Sequence, residues 1–366
     1  MEIFNRNNKL IRFFVAFFVA LTGSIVFGYL HTPIPWLLGP MFAVLIGSRF
    51  GKIDYFWPRQ IRDIGLIFVG YSIGLSFTKN ALLQILRNLP SMFLMTVLLV
   101  LFCAGIAFFV SKLTNVDYPT ALTGSIPGGL SQMIIFAEEV KGIDITTVTF
   151  LQVSRLMMIV FFIPFLAFSP FFANEKVNNI ISNRAQVSVS SAGPFFPNIL
   201  LFAIVCVIFA IVGKKLKFPT PYLLGPILGT AIFSIEGFHG PSLPAPILDV
   251  SQFMIGGYIG LLLKPEKLQH KAKIISLALI SGMVMIVGSL LLSLLLVYQN
   301  HISPATSLLS TAPGGMDQMG ILAHEIHANL SMVTGYQLFR LFFIYFAIPP
   351  LLRWFFKIAA RKAAKA

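Results

Sequence analysis

Nowhere does this sequence hold a stretch both polar enough and long enough to build a water-soluble domain. Charged side chains make up 11% of the 366 residues against 57% hydrophobic ones, and the mean hydropathy is +0.85, well outside the soluble globular range. Apolar runs of bilayer-crossing length recur from the first dozen residues to the last thirty. Lipid is therefore the solvent for most of the chain, and a conventional soluble enzyme is excluded. Cysteine is almost missing. Cys103 and Cys206 each sit mid-run in an apolar segment with no second ligand nearby in sequence, so both read as packing residues rather than disulfide or metal partners. A Walker motif, a dinucleotide fingerprint and a nucleophile elbow are also missing, which leaves ATP-driven transport within this chain without a motif. Acidic residues are few, 13 against 27 Lys and Arg, for a net charge of +14. In a soluble chain that excess would point to nucleic acid; in a membrane chain the placement of the charges orients the spans.

What the sequence does have is a repeat. Pro33, Pro35, Leu37, Leu38, Gly39 and Pro40 reappear as Pro219, Pro221, Leu223, Leu224, Gly225 and Pro226, an offset of 219 − 33 = 186. The same offset carries Asp63 to Asp249, Gly70 to Gly256 and Gly74 to Gly260. It also carries Pro127, Gly128, Gly129, Gln132 and Met133 to Pro313, Gly314, Gly315, Gln318 and Met319. Beyond Glu139 and Glu325 the offset drops to 185, pairing Gln152 with Gln337, Arg155 with Arg340 and Pro164 with Pro349. One register held over so long a stretch marks two copies of one unit. The basic start followed by the apolar run 13–30 has a counterpart at 195–213 and so reads as a first span rather than a signal peptide.

Each half offers six apolar segments: 10–30, 36–50, 61–78, 90–112, 119–140 and 145–171, then 195–213, 222–235, 247–263, 274–297, 304–328 and 330–352. The fifth is split by Pro-Gly-Gly, which breaks a helix. It either crosses as a broken helix or returns to the side it entered. If both fifth segments return, 21 Lys and Arg fall inside and 4 outside (Lys79, Arg87, Lys176, Arg184), with Arg155 and Arg340 in the membrane; if both cross, the split is 15 to 10. The charge bias selects the first case. The expected fold is an all-α polytopic membrane protein of two inverted repeats, each of five transmembrane helices plus one re-entrant hairpin. It has about ten spans with both termini cytoplasmic. The first repeat is 1–172, a periplasmic linker 173–194, and the second repeat 195–366.

Paired Gly/Pro-interrupted segments are the best sequence pointer to a transporter site, because irregular backbone at membrane depth survives only against protein or a polar cavity. The candidate binding residues are therefore Gly128, Gly129, Ser131 and Gln132 at the first break and Gly314, Gly315, Asp317 and Gln318 at the second. The first-turn amides of the helix that follows each break suit an anion. Arg155 and Arg340 lie about ten residues into long apolar runs, where a charge is costly, and Gln152 and Gln337 stand three residues earlier on the same face. Two readings stay open for these arginines: a clamp on a substrate carboxylate, or a cap on the carbonyl ends of the broken hairpin. Asp63 and Asp249 read as helix N-terminal acids. His324, Glu325 and His327 lack the His-Glu-x-x-His spacing and a third ligand, so no metal and no cofactor is assigned. The short PxxLLGP segments suit a scaffold or a homodimer face.

The duplicated LLGP and PGG-x-x-Q-M blocks resemble the membrane AbrB family of Gram-negative bacteria, in which the AbrB unit is duplicated in one chain, and the resemblance covers nearly the whole sequence. Members are catalogued variously as AbrB family transcriptional regulators or ammonia monooxygenases, so the resemblance implies a link to regulation of gene expression. No cluster of His, Cys or carboxylates suits a monooxygenase, and inside loops of a dozen residues hold no DNA-reading module. The expectation is a non-enzymatic, multi-pass inner-membrane protein of secondary-transporter-like build. It would bind or move a small anionic or zwitterionic metabolite, with a proton or sodium as coupling ion and no direct contact with nucleic acid. The alternative is a membrane sensor that regulates indirectly and moves nothing. Asp317 opposite Ser131 implies one asymmetric ion site.

Overall fold

The computed structural model describes residues 9–50, 54–113, 116–140, 142–169, 172, 195–238, 240–262 and 271–363. The expected linker 173–194 lies outside them. Among the described residues there are fifteen helices and no strand. They are α1 (Lys9–Tyr29), α2 (Pro35–Phe50), α3 (Arg59–Leu75), α4 (Lys79–Arg87), α5 (Leu89–Leu113), α6 (Tyr118–Ser125), α7 (Leu130–Glu139) and α8 (Ile145–Ala167). They continue as α9 (Phe195–Lys215), α10 (Pro221–Ile235), α11 (Ala245–Gly260), α12 (Lys271–Asn300), α13 (Pro304–Thr311), α14 (Met316–Glu325) and α15 (Leu330–Ala363). Five are long and apolar enough to cross a membrane: α1, α5, α8, α12 from Ala278, and α15 as far as Phe356. A sixth span results if α3 and α4, bent by 88° at their junction, count as one. The helix α4 was not anticipated. Its nine residues alternate apolar positions with Lys79, Gln84 and Arg87, too short and too polar a pattern to stand out between two long apolar runs.

The element boundaries keep the register of the sequence. Lys9, Pro35, Arg59, Tyr118 and Leu130 open helices, and so do Phe195, Pro221, Ala245, Pro304 and Met316, each 186 residues on; α8 and α15 start 330 − 145 = 185 apart. Left-handed backbone recurs likewise: His31 with Lys217, Ile34 with Thr220, and Gly142 with His327. Ile34 and Thr220 hold this unfavourable conformation immediately before Pro35 and Pro221, where proline already bars the right-handed helical region to its predecessor.

The chain forms two compact units, and each takes helices from both halves. The first comprises residues 1–84, 164–263 and 320–331, the second residues 85–163, 264–319 and 332–366. In the first unit the repeated glycines set the helix packing. A side chain on Gly70 would lie 2.7 Å from the Leu223 carbonyl oxygen, and one on Gly256 would meet that of Leu37. Gly74 faces Ile227 and Thr230 as Gly260 faces Met41 and Val44. Since 37 + 186 = 223, the LLGP helix of each half lies against the third helix of the other. Backbones this close need glycine, and small residues bring apolar helices together in lipid. The LLGP segments are thus packing elements of this unit. Asp63 and Asp249 fall on the fifth residue of α3 and α11, one place past the first turn expected of them, and Asp63 pairs with Arg62 at 2.6 Å.

In the second unit, α6 packs on α5 and α13 on α12. The Ser307 hydroxyl donates to the Ser293 carbonyl at 2.6 Å, and that of Thr311 to Ser289 at 3.2 Å. Hydroxyl groups thus bind helix to helix where a hydrogen bond has no water to compete with it.

Candidate functional site

All twelve candidate binding residues fall in the second unit. The helix α6 ends at Ser125 and α7 begins at Leu130, so residues 126–129 leave carbonyl groups on one side and amides on the other without helical partners. From α8, Gln152 donates through Nε2 to the carbonyls of Thr123 (2.9 Å) and Ile126 (2.8 Å). Arg155 donates through Nη1 to Ser125 and Ile126, each at 3.1 Å, and through Nη2 to Gln152 Oε1 at 2.7 Å. The second break repeats this from α15. Gln337 donates to Leu309 (2.6 Å) and Ala312 (3.1 Å), while Arg340 donates to Ala312 (2.7 Å), Gly314 (2.9 Å) and Gln337 Oε1. The partners correspond, since 123 + 186 = 309 and 126 + 186 = 312. Each guanidinium and its glutamine thus cap the C-terminal end of an interrupted helix, where cations are favoured. The carbonyl-cap reading of the arginines is what the geometry contains.

A second set of contacts ties the breaks together. A side chain on Gly128 would lie 3.2 Å from Ile344 Cγ2, and one on Gly314 3.0 Å from Ile159 Cγ2. Gln132 Nε2 donates to the Tyr345 carbonyl at 3.2 Å. Each break therefore hangs from its own half's last helix and rests on the other half's, one turn further along. Going from Arg155 to Ile159 leads from the first break to the second, and going from Arg340 to Ile344 leads back.

The site is electropositive. Arg155 and Arg340 are 8% and 5% exposed, lie within electrostatic range of each other and of Cys103, and have no carboxylate at ion-pair distance among the described residues. Gln152, Gln337 and Gln318 are equally buried. Asp317 is half-buried in the first turn of α14 and accepts from Gln318 Nε2 at 2.7 Å. Gly129 is the N-cap of α7, and Ser131 stands in its first turn. Two buried polar atoms at the breaks have no partner among the described residues: the donor Arg155 Nε and the acceptor Gln318 Oε1.

The pattern reading missed the parts that have no pattern. The capped carbonyls belong to Thr123, Leu309, Ala312 and other residues of no distinctive type. The resting contacts are made by Ile159 and Ile344, indistinguishable in sequence from their apolar neighbours. It also missed a pocket in the first unit, lined by Ser72, Ile73, Gln252, Gly320, His324 and Glu325 among others, where Gln252 Nε2 donates to Glu325 Oε1 at 3.1 Å. Gln252, a buried amide inside an apolar run, was the one available signal. His324 and Glu325 line this pocket; among the described residues no group of three His, Cys, Asp or Glu is placed to hold a metal.

Fold and site together define an all-helical protein with several membrane-length apolar helices and two arginine-capped helix breaks in one compact unit. The chain belongs to the AbrB family, whose description is "Transition state regulatory protein AbrB" and which matches residues 36–356. It is similar to YhjN of Bacillus subtilis (strain 168), 26% identical over 95% of this chain and 94% of that one. It is also similar to a protein of Escherichia coli (strain K12) that bears the name "Putative regulator AbrB", 26% identical over 94% of this chain and 97% of that one.

Proposed function

We propose that the chain is a ten-span inner-membrane protein of secondary-transporter type, built from two inverted repeats whose Pro-Gly-Gly segments are re-entrant hairpins. It binds and moves a small anion or zwitterion, coupled to a proton or sodium ion. The observation that carries this reading is the crossed suspension of the two breaks around two buried guanidinium groups. The hairpin form rests on the contacts at the base of each break. Tyr118 at the start of α6 and Phe136 near the end of α7 lie tilted against adjacent residues of α15, Phe355 and Phe356. The amide of Asp144, beyond α7, donates to Thr120 Oγ1 at the start of α6 at 3.1 Å. In the second half Asn300, just before α13, reaches Tyr336 near the start of α15 at 3.1 Å. The inverted relation rests on the reciprocal contacts of Ile159 with the second break and Ile344 with the first, and the cytoplasmic termini on the 21-to-4 charge split.

In this reading the arginines hold the breaks in shape and also supply positive potential to the cavity between them. The α7 and α14 N-termini face the substrate, and Asp317 with Gln318 Oε1 offers oxygen ligands to the coupling cation. No bond is made or broken, and no nucleic acid is touched. Because each compact unit contains helices of both halves, one half rocking against the other would disrupt both units, so the body that moves is a unit.

Flux in proteoliposomes, against a panel of amino acids and small organic acids, tests the proposal. The family description and the name of the Escherichia coli relative favour a second reading, a sensor that passes ligand occupancy to a partner. Saturable binding with no flux would select the sensor.

A further inference from the structure

Two acids that the first half neutralises are left without a cation in the second. Asp63 pairs with Arg62, and Glu139 with Arg353. At the repeat offset of 186 their equivalents are Asp249 and Glu325. Apolar residues stand where the two arginines would recur: Leu248 for Arg62, since 248 − 186 = 62, and Phe168 for Arg353, since 353 − 185 = 168. Asp249 and Glu325 lie within electrostatic range of each other. Neither has a Lys, Arg or His at ion-pair distance among the described residues.

The pocket of the first unit lies at this place. Glu325 and His324 line it from the end of α14, Leu248 and Gln252 from α11, and Ser72 from α3. Gln252, 2% exposed, replaces Leu66 of the first half; its Nε2 is spent on Glu325, and its Oε1 receives no hydrogen bond among the described residues. Gly320 keeps the space open. A side chain there would lie 2.5 Å from Ile73 Cδ1, and the first half has Ile134 at the equivalent position. The room left is that of about one water molecule. Glu325 is also the last residue of α14, at the negative end of the helix, where a carboxylate is disfavoured and a cation is favoured. The lining thus combines oxygen ligands, negative potential and space for a small ion.

We infer that this pocket binds one small monovalent cation of about the size of sodium, which supplies the charge that Arg62 and Arg353 supply in the first half. Glu325 is the carboxylate ligand, Gln252 Oε1 and the Ser72 hydroxyl are neutral oxygen ligands, and Asp249 adds its charge from beside the pocket. One carboxylate in the lining is too few for calcium, which gathers more oxygen ligands, and no group of three His, Cys, Asp or Glu among the described residues suits a transition metal. The site is separate from the residues of the second unit to which the proposed function assigns its ligands, and it requires no transport.

The test is equilibrium binding of radiolabelled sodium to the purified full-length chain in lipid nanodiscs, with calcium and N-methylglucamine as competitors at constant ionic strength. The wild-type chain is expected to bind sodium saturably, and both competitors to displace it at least tenfold less well than unlabelled sodium. Glu325→Gln keeps the shape of the side chain and is expected to weaken sodium binding tenfold or more. Glu139→Gln, the same change at the first-half position, is expected to leave the affinity within about twofold. Should Glu325→Gln not fold, Asp249→Asn removes the neighbouring charge and is expected to weaken binding several-fold. Wild-type affinity in Glu325→Gln or Asp249→Asn overturns the inference. So does the absence of sodium binding, or displacement by calcium or N-methylglucamine as readily as by sodium. Binding that survives Glu325→Gln and is lost in Asp317→Ser overturns it and leaves the coupling-ion role of Asp317 standing. The opposite pattern sustains it and removes sodium from Asp317.

Discussion

Arg155 and Arg340 are long, always-charged side chains in apolar helices, and their environment explains how they are tolerated. Each has a planar fork of donors, and the fork reaches two carbonyls at the broken end of a helix while a glutamine one turn earlier closes the set. Lysine keeps the charge but carries its donors on a single nitrogen without the planar fork, so Arg340→Lys loses the two-pronged reach to Ala312 and Gly314; Ala312 keeps Gln337, and the Gly314 carbonyl is the one expected to lose its donor. With a charged hydrogen bond worth about 1.5 to 3 kcal/mol, the thermal midpoint of the purified protein should fall by several degrees. Arg353→Lys is the control. Arg353 pairs with Glu139 with both side chains half-exposed, where an ion pair is worth about 0 to 1 kcal/mol, and the midpoint should barely move. Equal shifts in the two variants would mean that the Arg340 cap carries no special weight. That both arginines needed polar partners could be read from the sequence, since a lone charge in an apolar run has few ways to survive. Which of the two open readings applied could not, because carbonyl acceptors belong to the backbone and leave no trace in residue identity.

Among the elements, the interrupted helices were the most legible, since Pro-Gly-Gly is a local instruction and occurs twice in register. The helix starts at Leu130 and Met316 followed from it. The small helix α4 was not legible, because an amphipathic turn of nine residues beside a long apolar run contributes little to any periodic signal. The crossed contacts were out of reach for another reason. Gly128 on Ile344, Gly314 on Ile159 and Gly70 on Leu223 join residues more than 150 positions apart, and nothing local in the chain encodes such a pairing. The re-entrant course proposed for α6 and α7 makes a topological prediction at this scale. A cysteine replacing Lys176 should react with an impermeant thiol reagent applied from the periplasm, and one replacing Lys141 should react only after the membrane is opened. Both positions lie outside the described residues, so the result is independent of the contacts above. Labelling of Lys141→Cys from the periplasm would require a crossing helix and would reverse everything after it.

For the whole molecule, the repeat and the compact units divide the chain differently. The sequence divides at the linker between the halves, whereas packing gathers α1–α3 with α9–α11 and α5–α8 with α12, α13 and most of α15. Two copies of a fold with apolar faces on several helices can bury those faces by interleaving, which is why a division by sequence alone does not mark the compact units. Tyr118 and Phe355 belong to different halves but to one unit, with ring centroids 6.3 Å apart. A cysteine pair at these two positions, joined by a short cross-linker, should leave ligand turnover within about twofold of the uncross-linked protein if a unit moves intact. Loss of turnover on cross-linking would show that the halves must part.

The most direct test of the central claim is flux: the purified chain reconstituted in proteoliposomes, preloaded with a radiolabelled small monocarboxylate or amino acid and placed in an opposing proton or sodium gradient. The account predicts saturable, gradient-dependent movement by the wild-type chain. Saturable binding of the same compounds in nanodiscs, with liposomes no leakier than protein-free controls under any gradient, would contradict it.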